Sequence, residues 1–179
     1  MWRIVILLAL ALGPLCFAQA TRTPNLEAQR AAMRKLDFLA GRWSGDARAW
    51  RGGDPVEFTQ TEEAQFKLDG LLLVIEGRGD SKSDGKPVLR ALGIISYDDE
   101  AGVYRMRAYN DGRYMETELK LAAGGRGASW GFTIGAFRTN SVLSINPAGE
   151  WTESHDLLFG SDPPRKIMEI RVTRVGERP

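Results

Sequence analysis

From Gly41 onward the apolar residues of this chain recur at every second position, and no run with helical spacing interrupts them. The alternating stretches are cut by turn chemistry: Arg51-Gly52-Gly53-Asp54, Leu68-Asp69-Gly70, Ser83-Asp84-Gly85, Asp98-Asp99-Glu100-Ala101-Gly102, Asn110-Asp111-Gly112, Gly124-Gly125, Asn146-Pro147-Ala148-Gly149 and Asp162-Pro163-Pro164. Connections this short join antiparallel neighbours, so about ten strands are expected, folded as a sandwich or a barrel. Before them, Thr23-Pro24-Asn25 offers capping residues and a proline suited to a first helical turn. Leu26, Met33, Leu36 and Leu39 then share one stripe at helical spacing. One amphipathic helix is expected over residues 26–38, stopped by Gly41.

What faces inward decides between sandwich and barrel. The more apolar parity of each strand is taken as the inner one. It turns in Trp43, Gly45, Ala47 and Ala49, and then Val56, Phe58, Gln60, Glu62, Ala64, Phe66 and Leu68. Later strands supply Tyr104, Met106 and Ala108; Met115, Thr117, Leu119 and Leu121; Trp130, Phe132 and Ile134; Thr139, Ser141, Leu143 and Ile145. The last two supply Trp151, Glu153, His155, Leu157 and Phe159, then Met168, Ile170 and Val172. Residues 71–79 and 88–97 are apolar on both parities and give no inner face. A dry sandwich core would have to pair Gln60, Glu62, Glu153 and His155, at about 1 to 3 kcal/mol for each group left unpaired. A partly wet barrel interior tolerates them. Gly45, Ala47 and Ala49 are small enough to leave volume beside one wall. The expected fold is mainly β: a closed antiparallel barrel of about ten strands with one N-terminal helix capping an end.

Residues 1–20, MWRIVILLALALGPLCFAQA, carry Arg3 as their only charge, then an apolar run, then the small-residue end Ala18-Gln19-Ala20. That three-part order marks a secretory signal peptide, and its apolar run is short for a membrane span. Cleavage after Ala20 would leave residues 21–179 as one barrel domain with no membrane span, periplasmic or secreted. It would also remove Cys16, the only cysteine, and with it any disulfide or thiolate chemistry. Loss of Arg3 brings the basic residues level with the 23 acidic ones. A neutral domain lacks the basic face that nucleic acid demands, so no nucleic-acid partner is expected.

Leu36-Asp37-Phe38-Leu39-Ala40-Gly41-Arg42-Trp43-Ser44-Gly45 resembles the opening of the lipocalin-like (calycin) barrels, marked by G-x-W at the start of the first strand. The fuller pattern L-x-F-L-x-G-x-W-x-G is similar to that of an uncharacterised bacterial lipocalin-like family, and Trp151-Thr152-Glu153 matches its late W-x-E segment. The resemblance implies that Trp43 closes one barrel end beneath an arginine of the last strand. Arg174 follows Met168, Ile170 and Val172 on the inner parity and is that arginine, with Gly41 and Gly45 flanking the closure. Lipocalins proper carry a long helix after the barrel. This chain ends in a strand, which favours the ten-stranded relatives. Among these, nitrobindins are more distantly similar and bind haem through a late-strand histidine, although their further glycines are replaced here by Asp46-Ala47-Arg48.

The candidate ligand-binding residues are Gln60, Glu62, Tyr104, Trp130, Glu153 and His155, polar or aromatic groups at inward positions. His155, the sole histidine, has three readings: a core residue tied to Glu153 or Glu62, a contact for a bound ligand, or a haem axial ligand. Glu62 and Glu153 could serve as general acid and base, pair with arginines such as Arg90 or Arg107, or bind water. Gly127-Ala128-Ser129-Trp130-Gly131 fits the nucleophile-elbow pattern, but that motif needs a helix after the serine and a strand follows. Asp98-Asp99-Glu100 lacks calcium-loop spacing, and no metal ligand is expected unless His155 holds haem. The leading expectation is an exported protein, monomer or homodimer, that reversibly binds a small amphipathic or hydrophobic molecule without a cofactor. The alternatives are a haem protein using His155 and a small-molecule enzyme using Glu62 and Glu153.

Overall fold

The computed structural model describes residues 23–176; the signal peptide expected over residues 1–20 lies outside them. Asn25 caps α1 (Leu26–Met33), its side chain accepting the Ala28 amide at 3.0 Å. The helix is shorter than its sequence stripe. After Met33 the chain tightens into a 3₁₀ turn (Arg34–Leu36), and the Leu39 amide returns to the Leu36 carbonyl at 2.9 Å. Gly41 begins the first strand rather than ending the helix. Its φ of 122° favours glycine, and a β-carbon there would collide with the Arg174 guanidinium.

Eleven strands follow: β1 (Gly41–Ala49), β2 (Val56–Lys67), β3 (Leu72–Ser81), β4 (Pro87–Asp98), β5 (Val103–Asn110), β6 (Arg113–Leu121), β7 (Gly127–Trp130), β8 (Thr133–Ile134), β9 (Phe137–Ile145), β10 (Trp151–Phe159) and β11 (Arg165–Arg174). Strands β1 to β7 pair antiparallel in chain order, β7 pairs with β9, and β9, β10 and β11 continue the ring. Pairing of β11 with β1, Trp43 opposite Arg174, closes a ten-stranded barrel. The short β8 is a flap on β9 alone. The expected single strand through Trp130 and Phe132 breaks at Gly131, where a β-carbon would run into the Thr139 carbonyl oxygen.

Burial follows the expected parity in β1, where Trp43, Ala47 and Ala49 are buried, and in β2, where Phe58, Gln60, Glu62 and Ala64 are buried. Three expected inward residues end outside. Val56 is 37% exposed and Leu68 66% exposed, because Leu68 lies beyond the end of β2 in a left-handed turn with φ of 50°. Phe159 also emerges, stacking on Phe137 with ring centres 5.0 Å apart. The two ambiguous strands turn in Leu73, Ile75, Gly77 and Gly79 from β3, and Leu89, Ala91, Gly93 and Ile95 from β4. Their other parity is apolar because Val74 and Ile94 lie opposite each other on the outer face and stay half-buried.

α1 covers one end of the barrel. Tyr104, inward on β5, donates its hydroxyl to the Ala32 carbonyl at 2.7 Å, and Gln29 reaches Asp99 at 2.7 Å. Tyr104→Phe keeps the ring and removes the tether; the expected cost is about 1 kcal/mol, measured by urea unfolding.

Candidate functional site

The closed end is built on Trp43. Its indole N–H donates to the Leu39 carbonyl at 2.9 Å, its ring meets Trp151 edge-to-face at 5.4 Å, and the Arg174 guanidinium lies 4.0 Å from the ring centre. Arg174 also donates to the Phe38 carbonyl at 3.1 Å and to the Ala40 carbonyl. One residue thus joins the last strand, the plug and the turn that follows α1.

Above the plug lies a cavity of about 270 Å³. Its walls are mainly apolar, from Ile75, Gly93, Ile95, Met106, Ala108, Met115 and Leu119 on one side to Leu143, Ile167, Met168 and Ile170 on the other. Ile167 and Met168 both face it although they are consecutive, because an irregularity opposite His155 and Asp156 shifts the β10–β11 register there. The space does not come from β1, as the small residues there suggested. Gly45 lies against the next strand, where a β-carbon would fall 2.9 Å from Val172 Cα, and neither it nor Ala47 nor Ala49 lines the cavity. Gly77, Ala91, Gly93 and Ala108 leave the room instead.

Of the six candidate ligand residues, Glu62, Trp130, Glu153 and His155 line this cavity. Gln60 and Tyr104 do not. Gln60 is fully buried beside Gly79 and hydrogen-bonded to Glu62, and Tyr104 is turned to α1. Parity gave their face correctly but does not show which inward side chains reach the cavity. Neither Arg90 nor Arg107 pairs with a cavity carboxylate: Arg90 binds Asp80 at 2.6 Å and Arg107 binds Glu116 at 3.3 Å on the outer surface.

The polar groups form one connected wall. Glu153 accepts the Trp151 indole N–H through Oε1 at 2.8 Å and meets His155 Nε2 through Oε2 at 2.9 Å. His155 Nδ1 meets the Ser141 hydroxyl at 2.8 Å, and Trp130 stands edge-on to the imidazole at 5.9 Å. Since a carboxylate only accepts, Nε2–H donates to Glu153, and in the neutral ring Nδ1 accepts from Ser141. Ser141 and Trp151 were absent from the candidates. The Asn146–Gly149 hairpin would have located Ser141, because Trp151 opposite Ile145 sets His155 opposite Ser141.

Glu62 stands on β2, with Gln60 Nε2 donating to its Oε1 at 2.7 Å. Gly77, across the ladder, gives it space, since a β-carbon there would lie 3.0 Å from Oε2. Burial chiefly, and then the nearby Glu153 carboxylate, push the Glu62 carboxyl up to about 8 despite the Gln60 hydrogen bond. Gln60 Oε1 is the one fully buried side-chain nitrogen or oxygen among the described residues without a hydrogen-bond partner.

Ser141, His155 and Glu153 are connected like a nucleophile, a base and its orienting acid. Ser141 is paired on both sides, to Trp130 and to His155, so the neighbouring backbone amides are committed to the ladder rather than to an oxyanion. A haem iron needs an imidazole nitrogen directed at it, and both nitrogens of His155 are engaged by protein groups here. The residues as placed therefore do not fit an axial haem ligand. The arrangement suits an uncharged or cationic guest in contact with apolar walls and one hydrogen-bonding side.

No family model matches the sequence, and no curated protein matches it. The structure is similar to the crystal structure of Rv2717c from M. tuberculosis, with a TM-score of 0.60 and 13% identity over 81% of this chain and 98% of that one. At that identity the likeness is one of fold, and it agrees with the closed ten-stranded antiparallel barrel described above.

Proposed function

We propose that this protein is an exported, lipocalin-like binding protein of the bacterial family that opens with L-x-F-L-x-G-x-W-x-G, and that it holds one small amphipathic or hydrophobic molecule reversibly in the barrel. The observation that carries the reading is the cavity of about 270 Å³, mainly apolar, with Glu62 and the hydrogen-bonded Glu153, His155 and Ser141 among its few polar lining groups. Apolar burial supplies affinity at about 25 cal/mol per Å² covered, and the polar wall fixes orientation. The guest is enclosed within one chain, so either a monomer or a homodimer can carry the site.

Among the described residues no helix is long and apolar enough to cross a membrane. The signal-like residues 1–20 support release into the periplasm or the medium. The test is native mass spectrometry of the protein recovered from bacteria expressing the full-length gene, together with N-terminal sequencing. The expected result is a chain beginning at Thr21 that carries a small-molecule adduct, lost on denaturation. A chain beginning at Met1 would contradict export. A bare chain that also takes up no added amphiphile would contradict binding.

A further inference from the structure

The charge inside the cavity is one-sided. Its lining includes two glutamates and neither lysine nor arginine, and the one imidazole there is turned to Ser141 and Glu153. Fatty-acid-like guests would bring a third carboxylate into an enclosed, low-dielectric space with no cation to meet it, which is costly. Glu62 adds a second, independent observation. Glu62 is only 6% exposed, it lines the cavity, and no hydrogen bond or ion pair from the described residues reaches its Oε2. Once the carboxyl ionises, this oxygen is an acceptor at the cavity lining that a donor from the guest can meet. Trp130 and Trp151 also line the chamber, and aromatic faces favour an adjacent cation.

We propose that the cavity selects a protonated amine: a small apolar molecule with one ammonium group, its nitrogen donating to Glu62 Oε2 on the side toward Glu153. This rests on the binding function proposed above and names the chemical class of its guest. The ammonium supplies the missing donor and the compensating charge in one group. Its apolar tail lies against Met106, Ala108, Met115 and Met168.

Binding is then linked to pH. The groups around Glu62 are Gln60 on its own strand, Trp43 on β1, Gly77 on β3, and Glu153 and His155 on β10, which line the same cavity. Arg174, on β11, is held over Trp43 by the Phe38 and Ala40 carbonyls. An entering ammonium favours ionised Glu62, so the Glu62 proton leaves as the guest enters. Affinity rises with pH by up to about tenfold per unit until the carboxyl, near 8, has titrated.

The test is displacement of N-phenylnaphthylamine, an uncharged fluorophore, by octylamine, octanol and octanoate at pH 6 and pH 8. Octylamine is expected to displace it at about tenfold lower concentration than octanol at pH 8, with octanoate weakest, and only octylamine is expected to gain between pH 6 and pH 8. In Glu62→Gln, a near-isosteric change, octylamine is expected to lose both that gain and its advantage over octanol. Octanoate matching or exceeding octylamine would overturn the amine assignment and leave the binding function standing. Failure of the fluorophore and of all three competitors to bind would overturn the binding function itself.

Discussion

Trp43→Ala is expected to lower the unfolding free energy by about 4 kcal/mol, in the range for truncating a buried tryptophan. Trp43 is 2% exposed, and the change would remove more than its packing. The Leu39 carbonyl would lose the indole N–H, Trp151 would lose its edge-to-face neighbour, and the Arg174 guanidinium would lose the face it covers. Arg174→Ala leaves the indole in place and is expected to cost about 1 to 2 kcal/mol, the sum of a stacked cation and its carbonyl bonds at a half-buried site. Urea unfolding of the two variants measures both. A Trp43→Ala cost below that of Arg174→Ala would show that the plug does not close the barrel.

The second large effect concerns Glu62, where substitution stabilises. Its carboxyl titrates near 8 in the folded protein against an ordinary value of 4.5. Between those values the unfolded chain has released a proton that the folded chain keeps, so stability falls as pH rises, by about 1.4 kcal/mol per unit. The contribution is fully present below pH 4.5 and fully lost above pH 8. Glu62→Gln has nothing to titrate there and still offers Gln60 an acceptor. Its advantage over the native chain is expected to be near zero at pH 4 and to reach about 3 kcal/mol at pH 7. Unfolding midpoints of both proteins across this range provide the test; a gap that stays flat with pH would mean that Glu62 does not titrate in this window. A buried carboxyl that lowers stability at neutral pH is what a binding site retains at the expense of its fold.

The barrel was legible from the sequence because most strands alternate cleanly. On β2 the buried Phe58, Gln60, Glu62 and Ala64 interleave with exposed Glu57, Thr59, Thr61 and Glu63. β3 and β4 were not legible, since Val74 and Ile94 pack across the ladder on the outside and imitate a second inner face. The position of the cavity was misjudged for a related reason. A small residue marks either empty space or close backbone approach, and only the neighbour decides: Gly45 meets Val172, whereas Gly93 opens the chamber. Within the site, the Glu153 and His155 pair was readable as two residues of one parity on one strand. Ser141 required the register of a hairpin, and alternation gives a side chain's face without showing whether it reaches the cavity, as Gln60 does not.

The central claim is that the chamber between Ala108 and His155 receives the guest. Ala108, half-buried on the lining, can be enlarged to tryptophan so that the indole fills the space a ligand would occupy. Titration of N-phenylnaphthylamine into the native protein is expected to show saturable binding of one probe per chain. Ala108→Trp, checked for an intact fold by circular dichroism and thermal unfolding, is expected to bind at least about tenfold more weakly. Equal binding by a folded Ala108→Trp would place the ligand elsewhere and contradict the assignment of the barrel interior as the site.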